Sequence, residues 1–407
     1  MTEKDTIVLA YSGGLDTSIL LKMLQQKYNA EVLTVILDVG QQIDLKAIEK
    51  KAENLGVKKH YSMDAKKEFV TNYVFPAIKA NALYEGKYPL SSALSRPLIA
   101  SKLVEVAEKE GATAVAHGCT GKGNDQVRFE VTIKSLAPNL KILAPVRDWG
   151  LARDEEIEFA NANGIPIPVG LDNPYSIDQN LWGRSIECGV LDNPDQEPLG
   201  DIFEWTVSPE KAPEKPEYVT VKFECGVPCA INGKILDSVT LIEKLNEIGG
   251  KHGVGRIDHM EDRLVGIKSR ENYECPAATI LLEAHKDLEK MVLTRHEVLF
   301  KQHVDAKWAF LVYTGLWMDP LREDLEAFIN KSQERVCGEV KVKMYKGGIQ
   351  VVGRSSPMAL YDLNLASYGA ETTFDQSCSS GFIELWGLQT KLSNVLKKKE
   401  KKDVEGS

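Results

Sequence analysis

The chain has 407 residues, 43% of them hydrophobic and 27% charged, and carries a net charge of −9 at neutral pH. That length predicts two domains with substantial cores, and the acidic balance argues against a broad phosphate-backbone footprint, so no nucleic-acid partner is expected. The start MTEKDTIVLAYSGG shows no charged-then-apolar leader, and no stretch approaches ~18 uninterrupted apolar residues, so a cytoplasmic chain with no membrane partner is expected.

Thr6 to Ala10 is a short apolar, β-branched run of the kind that makes a buried strand. The turn from Tyr11 to Leu15 holds Gly13 and Gly14. A helix then follows from about Thr17 to Lys27, with Asp16, Thr17 and Ser18 at its start. Strand, glycine turn and helix N-terminus together make an anion site, with the hydroxyls of Ser12, Thr17 and Ser18 as added donors. No Lys follows the glycines, so the loop is not a Walker A sequence.

Further strands are expected at Glu31–Leu37, Val57–Tyr61, Ala112–Ala116 and Lys141–Ala144. Helices are expected at Asp44–Leu55, Lys66–Leu83 and Ser91–Glu110, the last closed by Gly111. Strands alternating with helices imply a parallel sheet covered on both faces, with ligands collecting at the carboxyl ends of its strands. The loop AHGCTGKGNDQVRFE, Ala116 to Glu130, lies at such an end and combines three glycines with dense polar groups. A helix from Asp125 to Leu136 sets Asp125 and Arg128 on one face. There Asp125 can accept from an ammonium while Arg128 forks a carboxylate, as recognition of an amino-acid zwitterion requires.

After Pro166 the pattern changes. Pro168, Pro174 and the Pro- and acid-rich run from Asp192 to Pro216 mark a connector, and a boundary is placed near 170. Beyond it, alternation at Tyr218–Phe223, a hairpin turn at Asn232-Gly233, and pairing of Glu339–Tyr345 with Ile349–Val352 across Gly347-Gly348 predict antiparallel strands. Helices at Val239–Ile248, Ala277–Arg295 and Leu321–Val336 interleave. The stretch His252 to Pro276 is too rich in Gly, Arg, Asp and Glu for a plain connector. Glu261, Arg270 and Tyr273 are its candidates for a polar substrate, and His252 and His259 lack metal-ligand spacing. From Leu385 to Lys402, apolar residues at 385, 388, 392, 395 and 396 predict an amphipathic helix that packs on a neighbouring subunit or on its own core. Seven cysteines, at 119, 188, 225, 229, 275, 337 and 378, show no repeated C-x-x-C pattern and read as free thiols, with no metal site.

Taken together, AYSGGLDTS at 10–18, TGKGNDQVRFE at 120–130, NPYSIDQNL at 173–181 and KHGVGRIDHMEDRLVGIKSRENYE at 251–274 resemble the argininosuccinate synthetase family over nearly the whole chain. The first string is shared with the wider group of pyrophosphate-loop enzymes that split ATP between its α and β phosphates. The resemblance implies an α/β fold: an adenine nucleotide alpha-hydrolase-like (PP-loop) domain at 1–170, an α+β synthetase and multimerisation domain at 171–384, and a C-terminal oligomerisation helix at 385–407. It further implies ligation of citrulline and aspartate, ATP being consumed to AMP and pyrophosphate with Mg²⁺ held mainly through phosphate oxygens, and a homotetramer.

Carried over residue by residue, the family's ATP positions fall on Ala10, Tyr11, Ser12, Gly13, Gly14, Leu15, Asp16, Thr17, Ser18, Leu37 and Gly118. Its aspartate positions are Thr120, Asn124 and Asp125. Its citrulline positions are Tyr88, Ala93, Asn124, Arg128, Ser176, Ser185, Glu261 and Tyr273. The chain reads SSAL at Ser91–Leu94 where many relatives would carry a Gly-Thr pair, so the resemblance carries over Tyr88 rather than a side-chain contact from Ser92, and Ala93 matches as a backbone contact. No residue stands out as a general base. Two rival readings are a tRNA-thiolating enzyme, which needs a catalytic cysteine pair and a basic surface, and a nucleotide-sensing module that no longer turns over.

Overall fold

A computed structural model describes residues 5–150, 153–166, 174–369 and 372–405. Pro168, Asn173 and the boundary near 170 lie outside the described residues. The chain divides into two compact units, one running to Met358 and the other from Ala359.

In the first unit β1 (Thr6–Ala10) is the centre of a five-stranded parallel sheet. Its neighbours are β2 (Glu31–Asp38) and β4 (Ala114–Ala116), with β3 (Lys59–Asp64) and β5 (Lys141–Leu143) at the edges, in the order β3-β2-β1-β4-β5. Because alternate side chains of a strand face opposite ways, the two faces feed different cores. Ile7, Leu9 and Val32 pack with Ile19, Leu20 and Leu24 of helix α1 (Leu15–Tyr28). Val8, Leu33, Val35 and Leu37 join Leu94 and Leu98 of helix α4 (Ser91–Glu110), which follows α2 (Leu45–Asn54) and α3, a helical stretch over residues 66–79. That second core continues into Val219, Val221, Phe223 and Met344 of a later sheet, so it crosses the expected boundary without a break.

Helix α5 (Asp125–Leu136) lies beside α4. A four-stranded antiparallel sheet follows, in the order β11-β12-β7-β6: β6 (Ser176–Asn180), β7 (Gly183–Glu187), β11 (Arg256–Asp262) and β12 (Lys268–Glu274). A five-stranded antiparallel sheet, β10-β9-β8-β13-β14, is built from β8 (Glu217–Glu224), β9 (Val227–Ile231), β10 (Lys234–Ile235), β13 (Gly338–Tyr345) and β14 (Gly348–Ser355). Two helices, Pro145–Trp149 and Arg153–Ala162, follow β5, and the later helices of the unit are α6 (Ser238–Lys251), α7 (Pro276–Val292), α8 (Arg295–Tyr313) and α9 (Pro320–Gln333).

Several boundaries differ from the sequence reading. The third strand starts two residues late and runs to Asp64, because pairing with β2 extends to Asp38↔Asp64 while Gly56, at φ 77°, is still turning the chain. The helix expected to reach Leu83 stops at Lys79 and contains a π-helical segment, Val70–Val74. The one expected at Ala277–Arg295 is a helix that stops at Val292, and Arg295 already starts another. Thr294 caps α8 through a reciprocal box with Glu297, a Thr-x-x-Glu signature that is visible in the sequence. The late hairpin turns at Lys346-Gly347, with φ 45° and 80°, and Gly348 already belongs to β14.

In the second unit, Cys378–Trp386 and Leu388–Glu405 form helices separated at Gly387. Leu385, Trp386, Leu392 and Leu396 keep 55–77% of their surface exposed. Among the described residues no helix is long and apolar enough to cross a membrane.

Candidate active site

At the carboxyl end of β1 the chain turns through Gly13, whose φ of 77° excludes most side chains and whose added Cβ would meet Ile48 at 2.8 Å. Lys51 Nζ donates to the Gly13 carbonyl at 2.7 Å, tying the turn to α2. Ser12 Oγ lies 3.1 Å from Thr17 Oγ1 and accepts from the Gly14 N–H, while Ser18 Oγ donates to the Gly14 carbonyl at 2.7 Å. The first intrahelical backbone bond comes from Ser18, so the turn before it meets the requirement for an anion cradle at a helix N-terminus.

Beside this turn a cavity of about 360 Å³ is walled by three segments. Asp16 comes from the first turn of α1, and Gly118 from the loop after β4. Thr120, Asn124, Asp125 and Arg128 come from the 117–128 loop and α5. Tyr88 and Ser92 come from the start of α4. The floor is one face of the four-stranded sheet: Ser176 and Asp178 of β6, Ser185 and Glu187 of β7, Glu271 and Tyr273 of β12, and Glu261 of β11. Registers Tyr273↔Ser185 and Asp178↔Ser185 set these side chains in adjacent rows, as a two-residue period demands.

Thus every residue the resemblance names for aspartate, and every one for citrulline except Ala93, lines one cavity. Ala93 is buried on α4, one residue beyond Ser92, whose N–H donates to the Tyr88 hydroxyl at 2.8 Å. Leu37 is likewise buried and is not in the cavity wall; its carbonyl accepts from Gln41 Nε2 at 2.6 Å. Within 10–18, Tyr11, Leu15 and Ser18 are buried and Ala10 is half-buried, leaving Ser12, Asp16 and Thr17 as the outward side chains. Arg270 lies outside the wall, paired with Asp258 and with the carbonyls of Asn193 and Gln196.

The charges are arranged unequally. Asp125 Oδ2 accepts from Arg96 Nε and Oδ1 from Arg128 Nη1, both at 2.8 Å, and Arg96 Nη2 reaches Asp178 at 2.7 Å. Partial burial alone would push the Asp125 carboxyl up, but the two guanidinium groups hold it at about 2. Asp125 is therefore already engaged, rather than the open acceptor that the sequence reading describes. Arg128 is 4% exposed and donates from Nε to the Tyr313 carbonyl at 3.0 Å, a closeness that Gly315 permits, since a Cβ there would stand 3.0 Å from Arg128 Cα. Its Nη2 is buried with no partner, which costs free energy unless something binds there.

Glu261 accepts from the hydroxyls of Tyr273 and Tyr313, each at 2.6 Å, and two stacked pairs, Tyr88 on Tyr273 and Tyr84 on Tyr313, brace them. Asn124 bridges Tyr313 and the backbone N–H of Leu264. Arg263 pairs with Glu187 and Glu271, and burial together with the nearby Glu187 carboxylate pushes Glu271 up to about 8. Burial pushes the Cys119 thiol well above its ordinary range. Among the described residues no cluster of three metal-ligating side chains occurs, and Asp16 is the wall carboxylate at the glycine turn.

Arg96, Asp178, Glu187, Arg263, Glu271 and Tyr313 escaped the sequence reading. Asp178, Glu187 and Glu271 stand two positions from Ser176, Ser185 and Tyr273, so strand alternation would have pointed to them. Tyr313 comes from a distant helix and carries no local signal.

The strand order, the glycine turn after the central strand and a cavity at the strands' carboxyl ends define a doubly wound nucleotide-handling α/β protein. Comparison with known families narrows this. The arginosuccinate synthase N-terminal HUP domain matches residues 6–166, and the arginosuccinate synthase C-terminal domain matches residues 175–393. The argininosuccinate synthase of Pyrococcus furiosus is 61% identical over 95% of this chain and 94% of its own. That of Oceanobacillus iheyensis is 57% identical over 99% and 97%, and that of Methanocaldococcus jannaschii 59% over 97% and 99%. The chain belongs to the argininosuccinate synthase family.

Proposed function

We propose that the protein ligates L-citrulline to L-aspartate, with ATP going to AMP and pyrophosphate, in arginine biosynthesis. The ureido oxygen of citrulline attacks the α phosphorus and pyrophosphate leaves. The aspartate amine then attacks the ureido carbon of the citrulline adenylate, AMP leaves, and argininosuccinate forms. The observation that carries this reading is that Asp16, in the helical turn just after the glycines, and the 117–128 loop line one cavity together with Arg128, whose Nη2 is unpartnered. Two amino-acid zwitterions and a triphosphate demand such a mixture: buried guanidinium for carboxylate, wall carboxylates for ammonium, and a backbone cradle for phosphate.

In this reading the 10–18 turn with Leu37 and Gly118 holds ATP through backbone groups and the outward Ser12 and Thr17. Thr120, Asn124 and Asp125 serve aspartate, Asp125 by exchanging one arginine contact for the incoming amine. Tyr88, Ala93, Asn124, Arg128, Ser176, Ser185, Glu261 and Tyr273 serve citrulline. Mg²⁺ fits as a passenger on phosphate oxygens near Asp16, where it would neutralise the departing pyrophosphate. Rate enhancement then rests chiefly on juxtaposing three substrates. Cys119 stands in the cavity wall with no second cysteine beside it there among the described residues, and burial pushes its thiol up, which argues against a thiolating relative.

AMP release and repeated pyrophosphate release should require citrulline, aspartate and ATP together, while citrulline and ATP alone should give no more than one pyrophosphate per site. Release with tRNA in place of citrulline, or ATP binding without turnover, would overturn the reading. We further propose a cytoplasmic homotetramer whose last helices dock on other copies, supported by the exposed Leu385, Trp386, Leu392 and Leu396. Removing residues after 384 should lower the mass in solution; an unchanged mass would refute that role.

A further inference from the structure

We propose that Cys225 and Cys337 form a reactive dithiol, a modification site at which hydroperoxides or small disulfides drive an internal, reversible disulfide. The two residues are 112 positions apart in sequence, yet their sulfurs lie 4.0 Å from each other. Cys225 occupies the hairpin turn between β8 and β9, with φ 48° followed by Gly226 at 76°, and Cys337 is the residue before β13. The register that pairs Gly338 with Phe223 brings these two ends together.

The approach is held by backbone rather than by chance side-chain rotation. The Cys225 N–H donates to Cys337 Sγ at 3.1 Å, and the Gly226 N–H donates to the Val336 carbonyl at 2.8 Å. Both thiols point at one acceptor, the Glu334 carbonyl, at 3.8 and 3.9 Å. Closing to a bond of about 2.05 Å requires the sulfurs to approach by roughly 2 Å, on a turn already fastened at its base. Access is open on both sides. Cys225 is exposed, and Cys337 lines a surface cavity of about 480 Å³ with Lys222, Glu224, Ser355 and Ser356. Neither residue lies in the wall of the catalytic cavity.

With a hydroperoxide, the Cys225 thiolate takes the distal oxygen to give a sulfenic acid and one water or alcohol. The Cys337 sulfur then attacks the sulfenic sulfur, expelling a second water and forming the S–S bond, so two thiols and one peroxide give one disulfide. With a disulfide probe the same bond forms through a mixed disulfide, releasing two thiols. Partial burial and the adjacent Cys337 push the Cys225 thiol up, while the Lys79 ammonium opposes this, so the reaction should quicken on going to alkaline pH.

The test is to treat the full-length protein with hydrogen peroxide and, separately, with oxidised glutathione, and to map peptides without reduction. The expected result is a cross-link joining the Cys225 and Cys337 peptides, the loss of two hydrogen atoms and of two alkylatable thiols, all reversed by dithiothreitol. In Cys337→Ser the glutathione should remain on Cys225 as a stable adduct. Wild-type protein in which both thiols stay alkylatable, or end as separate adducts or sulfinic acids, would overturn the proposal. Because these outcomes are read on the wild-type chain, they do not depend on any variant folding.

Discussion

Two aspartates in charged surroundings meet opposite fates. Asp125, in the cavity wall, stands between Arg96 and Arg128 and is held at about 2. Asp305 is sealed among α7, α8 and the residues after α3, where one cation, Lys301, is shared with a second carboxylate, Glu289. There burial, with the Glu289 charge adding to it, outweighs Lys301 and pushes Asp305 up to about 7. The second network is closed. Asn81 donates to both carboxylates, His285 lies between the oxygens of Asn81 and Gln333, and Gln333 donates to Glu289. The first is left open at Arg128 Nη2. The buried Asp305 network pairs its carboxylates internally, whereas the cavity network holds back one donor facing the site.

The largest test of that contrast is Asp125→Ala. Because Asp125 holds both arginines, its removal should raise the KM for citrulline as well as for aspartate and leave the KM for ATP least changed, with kcat/KM falling on the order of 10³-fold. An effect confined to ATP would refute the assignment. Next in size is Arg128→Lys, which keeps the charge but loses the planar fork, so citrulline kcat/KM should drop roughly 10–100-fold while the ATP KM is preserved. Unchanged citrulline kinetics would mean that Nη2 meets no carboxylate.

The smallest effect is on stability. Between about pH 4, where an unfolded aspartate titrates, and about pH 7, folded Asp305 keeps a proton that the unfolded chain has lost. Stability should therefore fall as pH rises through that window, by a few degrees of Tm at most for a chain this long. Glu271, pushed up to about 8, contributes with the same sign. Asp125 works the other way: the stability it adds is present above about pH 4 and is lost as pH falls towards 2. Asp305→Asn should flatten the slope between pH 4 and 7, as read by calorimetry. A slope that survives in Asp305→Asn combined with Glu271→Gln would show that other groups set it.

Chemically loud segments were readable from sequence because their cause is local. β-branched residues and the glycine turn dictate β1 and its cradle. The Asp125–Leu136 helix falls at the expected residues, and the family motifs mark the loop near 120. Assembly decided the rest. The face of β6, β7 and β12 that carries Asp178, Glu187 and Glu271 follows from antiparallel register, and Tyr313 reaches Glu261 only because the fold brings the end of α8 beside β11. The occupied state of Asp125 likewise depends on Arg96, 29 residues away in sequence. Residue type and spacing fix what chemistry a segment can offer. Which charges are neutralised, and which donor is left waiting, is set by neighbours that only the fold brings within a few ångströms.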